Sequence, residues 1–255
     1  MQSWLFLFIG AFFIFLMTAL GSAVVFLFKG EIPEKLNAVL LGFASGVMVS
    51  ASVFSLIIPS ISLSQPIFGV WSFLPPTGGV LLGGFFLYFL DNRIPAPNES
   101  DKIGFNANKL FWAVTLHNIP EGLAVGFAFG SCIAGDIPAF ISALFLAFGI
   151  GVQNFPEGAA VSLPMKSVCG KNKKAFFYGV KSGIVEPIFA LLGFLLAKFI
   201  QPIQPFLLSF SAGAMLLVVA QDLLPTACRA QTKKTGGAGF LLGFTLMMTL
   251  DIALA

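Results

Sequence analysis

Two short polar phrases interrupt long apolar stretches of this chain, and each combines an imidazole or amide with a carboxylate. The first runs from His117 to Gly122 as His-Asn-Ile-Pro-Glu-Gly, and the second runs from Gln153 to Gly158 as Gln-Asn-Phe-Pro-Glu-Gly. Hydrocarbon solvates carboxylates poorly, so ionisable groups inside membrane-spanning sequence mark pathways for ions or protons more often than they serve a scaffold. The repetition of the phrase favours a functional pair over a chance occurrence.

The spacing in the first phrase predicts that its polar groups share one face of a helix. His117 and Glu121 are four residues apart, which places them one turn apart on that face, and Asn118 adjoins them. Pro120 has no N–H, so the carbonyl of Leu116 loses its helical donor and becomes available to water or an ion. A single intramembrane histidine is more often a structural group, but the glutamate one turn away favours a metal ligand.

The second phrase repeats this arrangement with Gln153, Asn154 and Glu157. Consecutive spans that are joined by a short loop run antiparallel, and both phrases lie at similar depth from the basic ends of their spans. Two glutamates, a histidine, a glutamine and two asparagines are therefore expected to converge near the membrane centre. Imidazole and carboxylate together favour zinc, iron or manganese over calcium.

Three further side chains at comparable depth are candidates to join this site. Glu186 precedes Pro187, so it is expected to be a buried carboxylate beside a helix break, and a functional role is favoured. Met48 offers a thioether, although a single methionine within a span more often serves packing. Asp222 either takes part from the cytoplasmic side or contacts water at the end of a span.

The composition is typical of a polytopic α-helical membrane protein. Hydrophobic residues make up 57% of the chain and charged residues 10%, against about 25% charged in an ordinary soluble domain. Runs of about 20 apolar residues predict eight transmembrane helices, at 4–28, 36–59, 78–90 with some extension, 110–130, 138–164, 174–199, 204–226 and 238–255. We expect one transmembrane transporter domain over 1–255, with a flexible cytoplasmic loop at about 91–109. Closely spaced glycines, such as Gly42 and Gly46, are interpreted as helix-packing positions.

Basic residues predict the orientation of the chain. Lysines and arginines follow the odd-numbered spans and are almost absent after the even-numbered ones. The positive-inside rule therefore places both termini outside and the basic loops in the cytoplasm. Because these cations are confined to loops on one side, the net charge of +3 does not indicate a nucleic-acid partner. The three cysteines show no CxxC spacing, which disfavours a zinc cluster or a disulfide framework.

At the paired phrases the chain closely resembles the ZIP (Zrt/Irt-like) family of divalent-metal transporters, and its GufA-like branch in particular. The Asn-x-Pro-Glu-Gly repeat is the specific part of the resemblance, and the stretches at 44–48, 185–187 and 211–215 support it. The resemblance implies uptake of metal into the cytoplasm, an inverted repeat built around a two-helix core, and a homodimer. It also implies that the divalent metal is the transported substrate and not a prosthetic group.

The resemblance further implies the ligands of a primary metal site, which are His117, Glu121, Gln153 and Glu157. It implies a second, adjoining site that shares the two glutamates and adds Asn118, Asn154 and Glu186. Met48 is an additional candidate ligand of the primary site. Many family members begin the second phrase with histidine instead of glutamine, and some have an acidic residue where Asn154 stands. These departures leave the metal preference and the occupancy of the second site open.

Three other functions were weighed against transport of metal. An intramembrane metalloprotease would need the two histidines of HExxH, and this chain has one histidine, so an enzyme is not expected. A transporter of protons or an organic cation is disfavoured because no aromatic cage surrounds the carboxylates. A membrane metal-binding sensor or scaffold without transport is the remaining alternative, and flux across a sealed vesicle distinguishes it. The short chain without histidine-rich loops favours a bacterial inner membrane, with lipid and divalent metal as the partners.

Overall fold

Helices account for nearly all of the described chain, because a helix satisfies its backbone hydrogen bonds within one segment and hydrocarbon offers no other partners. The computed structural model describes residues 2–28, 30, 33–93, 102–132, 137–200 and 202–254. No strand occurs among them. The helices are α1 (Gln2–Ala23), α2 (Glu34–Ala51), α3 (Ile58–Phe68), α4 (Leu74–Arg93), α5 (Lys102–Ser131), α6 (Ile137–Cys169), α7 (Asn172–Gly183), α8 (Val185–Leu195), α9 (Ala197–Ile200), α10 (Gln204–Val218), α11 (Leu224–Ala227) and α12 (Lys233–Leu254).

Several helical segments are long and apolar enough to cross a membrane, so the prediction of a polytopic helical membrane protein is confirmed. By length and composition, six segments of the described chain qualify: Trp4–Leu27, Glu34–Trp71, Ile137–Lys166, Asn172–Leu195, Gln204–Ala227 and Lys233–Ala253. The other two predicted spans lie in α4, whose apolar part is shorter at Leu74–Phe89, and in α5. The count of eight crossings and the outside position of the termini stay predictions.

The connection between α4 and α5 is shorter than the loop expected at 91–109. Helix α4 continues through Arg93 and α5 begins at Lys102, while 94–101 lie outside the described residues. Helix α4 also begins before the predicted span at 78–90. Pro75 and Pro76 lie in its first turn, where a missing N–H costs little because that donor has no partner within the helix.

Two of the long segments contain a π-helical turn just before a proline. The turn Ser52–Ile57 separates α2 from α3, and the turn Val219–Leu223 separates α10 from α11. Pro59 and Pro225 follow them as second residues of the next helix. A proline removes one backbone donor and crowds the carbonyl four residues earlier, which favours a locally wider turn.

The surface of the molecule is apolar, and many polar side chains lie inside. Phe8 is 70% exposed and Phe89 is 63% exposed. Asn154, Ser182 and Glu186 are each 0% exposed. A continuous apolar surface of this kind marks contact with lipid or a partner, and the long apolar helices favour lipid.

The helices pack into two blocks, which we name the site block (α1 and α5–α9) and the companion block (α2–α4 and α10–α12). In the site block, α1 lies along α6 and α5 lies along α8. In the companion block, α2 lies along α12 and α4 lies along α10. The blocks meet where α5 contacts α10 and where α6 contacts α2.

Glycines bring the paired helices to backbone contact, as predicted for Gly42 and Gly46. A Cβ atom at either position would collide with the backbone of α12, at Gly236 or at Phe240. Small residues at such contacts let helices approach closely in lipid, where no hydrophobic effect drives them together.

Gly243→Ala should therefore destabilise the contact between α2 and α12. Its Cβ would lie 2.9 Å from the carbonyl carbon of Phe43, a distance that forces the backbones apart. We expect the free energy of unfolding to fall by about 1–3 kcal/mol, seen as a lower midpoint of thermal unfolding in detergent micelles. Gly237→Ala is the matched control on the same helix, because nothing lies within 4 Å of its Cβ. Equal effects of the two substitutions would contradict the packing role.

Candidate metal centre

The two polar phrases meet inside the site block, where α5 and α6 contact each other. His117, Glu121 and Glu157 each offer one ligand atom, and these three atoms lie within 4.8 Å of one another. His117 Nε2 is 2.9 Å from Glu121 Oε1 and 3.7 Å from Glu157 Oε1. All three side chains are buried. The expected convergence of the phrases is thus present, whereas the role of these residues as metal ligands stays a prediction.

Several polar atoms of this group have no hydrogen-bond partner among the described residues. The amide nitrogen of Gln153 donates to Glu121 Oε1, and His117 Nε2, despite its proximity to the same oxygen, is not aligned for a hydrogen bond. The unpartnered atoms are His117 Nε2, Glu121 Oε2, Gln153 Oε1 and both carboxylate oxygens of Glu157. A buried polar atom without a partner costs about 1–3 kcal/mol, so the group is incomplete without a ligand. One imidazole nitrogen with carboxylate oxygens is a donor set that zinc uses in proteins.

Glu186 is held beside this group through one of its two carboxylate oxygens. Its Oε1 accepts hydrogen bonds from Thr18 Oγ1 at 2.7 Å and from Asn118 Nδ2 at 3.0 Å. Asn118 Nδ2 also donates to the carbonyl of Ser182 at 2.9 Å. The other oxygen, Glu186 Oε2, has no partner among the described residues. Asn154 is fully buried and lies beside Glu186.

The site brings three buried carboxyl groups together. Glu186 lies near enough to Glu121 and Glu157 for the three carboxylates to interact electrostatically. No lysine or arginine of the described chain lies at ion-pair distance from any of them. Because a buried charge is costly unless an opposite charge compensates it, a cation is the ligand that this arrangement fits.

The glycine that ends each phrase brings a neighbouring helix to the site. A Cβ at Gly122 would collide with the backbone of Glu186, and a Cβ at Gly158 would collide with the backbone of Thr18. Without side chains at these two positions, α8 contacts α5 at Glu186 and α1 contacts α6 at Thr18. The predicted break beside Glu186 is also present, because α7 ends at Gly183 and α8 begins after a single intervening residue.

Two other sequence candidates lie outside the cluster of ligand atoms described above. Met48 is buried in an apolar cluster that includes Val114, Ala124 and Met215, and this cluster borders the first phrase along α5. Asp222 lies in the π-helical turn after α10 and is partly buried. A ligand role for Met48 therefore stays a prediction.

Sequence reasoning missed two hydroxyl residues that contact the site. Thr18 donates to Glu186, and Ser211 Oγ lies 3.0 Å from His117 Nδ1. Single serines and threonines are common in apolar spans, so neither residue has a spacing that marks it. Ser211 does lie in the stretch 211–215 that supports the family resemblance, which is the one available signal.

Thr18→Val should loosen Glu186, because valine keeps the shape of threonine and removes the hydroxyl donor. We expect about 10-fold weaker zinc binding, measured by calorimetric titration of the protein in detergent. This is at the lower end of the loss that follows when a metal-binding side chain loses a supporting hydrogen bond. Thr18→Ser retains the hydroxyl and should bind zinc as the wild type does. Unchanged affinity in the valine variant would show that Thr18 does not support the site.

Comparison with known proteins places this site in a family context. The family model described as ZIP Zinc transporter matches residues 96–251, which include both phrases. The chain is 35% identical to the zinc transporter GufA of Myxococcus xanthus, over 93% of this chain and 94% of that protein. It is 33% identical to the zinc transporter ZIP11 of Xenopus tropicalis, again over 93% and 94%. It is 32% identical to the zinc transporter ZIPB of Bordetella bronchiseptica, over 94% of this chain and 78% of that protein. The chain therefore belongs to the ZIP family of metal transporters, which are not enzymes.

Proposed function

We propose that this protein carries zinc across the membrane into the cytoplasm through the site between α5 and α6. The observation that carries the proposal is the buried group of His117, Glu121 and Glu157. Their ligand atoms adjoin, and each side chain has at least one polar atom without a hydrogen-bond partner among the described residues. The relatives are named as zinc transporters, which favours zinc as the substrate. Iron and manganese stay candidate substrates, because imidazole and carboxylate ligands suit them also.

In this proposal the ion binds first to a primary set of ligands, and a second metal position adjoins that primary site. The primary ligands are His117, Glu121, Gln153 and Glu157, with the sulfur of Met48 as an additional candidate. The adjoining position uses Asn118, Asn154 and Glu186 and shares the two glutamates. Gln153 would turn its amide so that Oε1 faces the ion, which ends its hydrogen bond to Glu121 and frees that carboxylate for the metal.

Transport also requires that the site open to each side of the membrane in turn. The two blocks are suited to alternating access, because the ligands named from the paired phrases all lie in the site block, while the companion block packs against it along α5 and α6. The inverted repeat that the family resemblance implies is part of this proposal. The proposal also includes eight membrane crossings within one domain over 1–255, with both termini outside. It further includes an inner-membrane location and a homodimer. These parts rest on the loop charges and the family resemblance.

The alternative function, a metal sensor or scaffold that binds without transport, is not favoured. The buried group would serve a sensor equally well, but the relatives are named as zinc transporters. Movement of metal across a sealed membrane is the property that separates the two functions.

Glu121→Gln should abolish most zinc uptake into sealed liposomes that contain the purified protein. The substitution keeps the size of the side chain and removes one of the two carboxyl groups nearest to His117. We expect the initial rate, followed with a zinc-sensitive dye inside the vesicles, to fall by at least about 10- to 100-fold. That range is already typical when only a residue supporting a metal ligand is lost. Competition by iron and manganese would rank the substrates.

Glu34→Gln is the matched control, because Glu34 is an exposed glutamate at the start of α2. Its uptake should equal that of the wild type. Uptake that survives in the Glu121 variant would place the path elsewhere. Zinc binding in detergent without any uptake by the wild type would support the sensor.

A further inference from the structure

The histidine of the site is hydrogen-bonded to a helix of the other block. His117 Nδ1 lies 3.0 Å from Ser211 Oγ. His117 is on α5 in the site block, and Ser211 is on α10 in the companion block. Both are almost fully buried, at 2% and 1% exposure, so water does not compete for this contact.

We propose that Ser211 is a positioning residue that sets the tautomer of His117 and ties metal binding to the packing of the two blocks. The inference rests on the proposed function, because it concerns how the same site holds and releases its ion. It adds a residue from the companion block that the paired phrases do not contain.

The hydrogen-bond pattern around the imidazole assigns the tautomer. A neutral imidazole carries one proton, and only its unprotonated nitrogen can bind a metal. A proton on Nδ1 is donated to Ser211 Oγ, which leaves the lone pair on Nε2. In the other tautomer Ser211 would donate to Nδ1. The Nε2 proton would then lie beside Glu121 Oε1, at 2.9 Å between the heavy atoms but not aligned for a hydrogen bond. The Nδ1–H tautomer therefore satisfies both nitrogens once a metal binds at Nε2, as is typical of metal-binding histidines.

The surroundings of this hydrogen bond are apolar. Met48 and Met215 of the companion block share one buried cluster with Val114, Ala124 and Val161 of the site block. Dispersion contacts between such side chains have no preferred direction, so they persist when one surface slides over another. A hydrogen bond is different, since it weakens steeply when its length exceeds about 3.5 Å or its angle departs from linearity.

Movement of one block past the other therefore breaks the Ser211 contact before it disrupts the apolar packing. His117 then loses the acceptor that keeps its proton on Nδ1, and Nε2 competes less well for the ion. The hydrogen bond strengthens metal binding in the arrangement of blocks described above. Its loss weakens metal binding once the blocks have moved. This coupling would promote release of the ion on the other side.

The chain contains one histidine, so its tautomer can be measured without assignment. The protein is prepared without a histidine tag, with ¹⁵N-labelled histidine, and metal is removed by a chelator. Nitrogen NMR in detergent or in lipid then reports which ring nitrogen carries the proton. We expect the Nδ1–H tautomer in the wild type and a shift towards Nε2–H in Ser211→Ala. An Nε2–H tautomer in the wild type overturns the inference, and this outcome needs no variant.

Zinc affinity provides the second measurement. Ser211→Ala should weaken zinc binding by about 10- to 100-fold. The control is Ser45→Ala, because Ser45 is a buried serine of the companion block whose hydroxyl donates locally to the carbonyl of Leu41 at 2.7 Å. It should keep both the tautomer and the affinity of the wild type. Equal loss of affinity in both variants, or an unchanged tautomer in Ser211→Ala, contradicts the inference.

These outcomes are separable from the failure of the proposed function. If the wild type binds zinc but moves none into liposomes, transport is excluded while the effect of Ser211→Ala on the tautomer still stands. If uptake proceeds and the Ser211 variant keeps the wild-type tautomer, the coupling is wrong and transport stands.

Discussion

The burial of three neighbouring carboxyl groups is the constraint on which the rest of this structure depends. Glu121, Glu157 and Glu186 are each 0% exposed, and no lysine or arginine of the described chain compensates them. Two like charges 4 Å apart repel by about 4 kcal/mol at an effective dielectric constant of 20. A fold that places three carboxyl groups together in this way is stable only if other contacts outweigh the repulsion, or if protons or a metal cation remove it. The ligand and the scaffold are therefore energetically linked.

In each Pro-Glu-Gly phrase, three neighbouring residues contribute to the site in different ways. The proline removes a helical donor and leaves a carbonyl oxygen available, and the glutamate supplies the charge. The glycine lets a neighbouring helix approach closely. At Gly122 this helix is α8, which carries Glu186, and at Gly158 it is α1, which carries Thr18. The first phrase therefore brings Glu186 to the site, and the second phrase brings Thr18, which donates a hydrogen bond to Glu186. The two phrases act as one unit although 30 residues of chain lie between Gly122, which ends the first phrase, and Gln153, which begins the second.

The helical class and the centre of the site could be predicted from the sequence, because both rest on local patterns. Apolar runs identify helices, and a spacing of four residues places His117 beside Glu121 on any helix. The meeting of Glu121 with Glu157 followed from the repeated phrase. The parts that could not be predicted depend on contacts between distant segments. Nothing near Thr18 in the sequence marks it as a partner of Glu186, 168 residues away.

Element boundaries were also harder to predict than the site. Hydropathy does not distinguish the end of a span from the end of a helix, which explains why α4 begins earlier than the predicted span and continues beyond it. The π-helical turns were not foreseen, since a proline permits a kink, a break or a wider turn, and tertiary packing selects among them.

The glycine contacts have a mechanical consequence for the whole molecule. Where two backbones touch, as at Gly46 and Phe240 or at Gly126 and Ala190, the separation of the helices is limited by atoms that cannot change rotamer. Paired helices in backbone contact therefore resist changes in their separation. The boundary between the blocks is filled instead by methionine and branched aliphatic side chains, which yield by changing rotamer. Elastic deformation should therefore concentrate at that boundary, which would favour the displacement of one block past the other that we propose for transport.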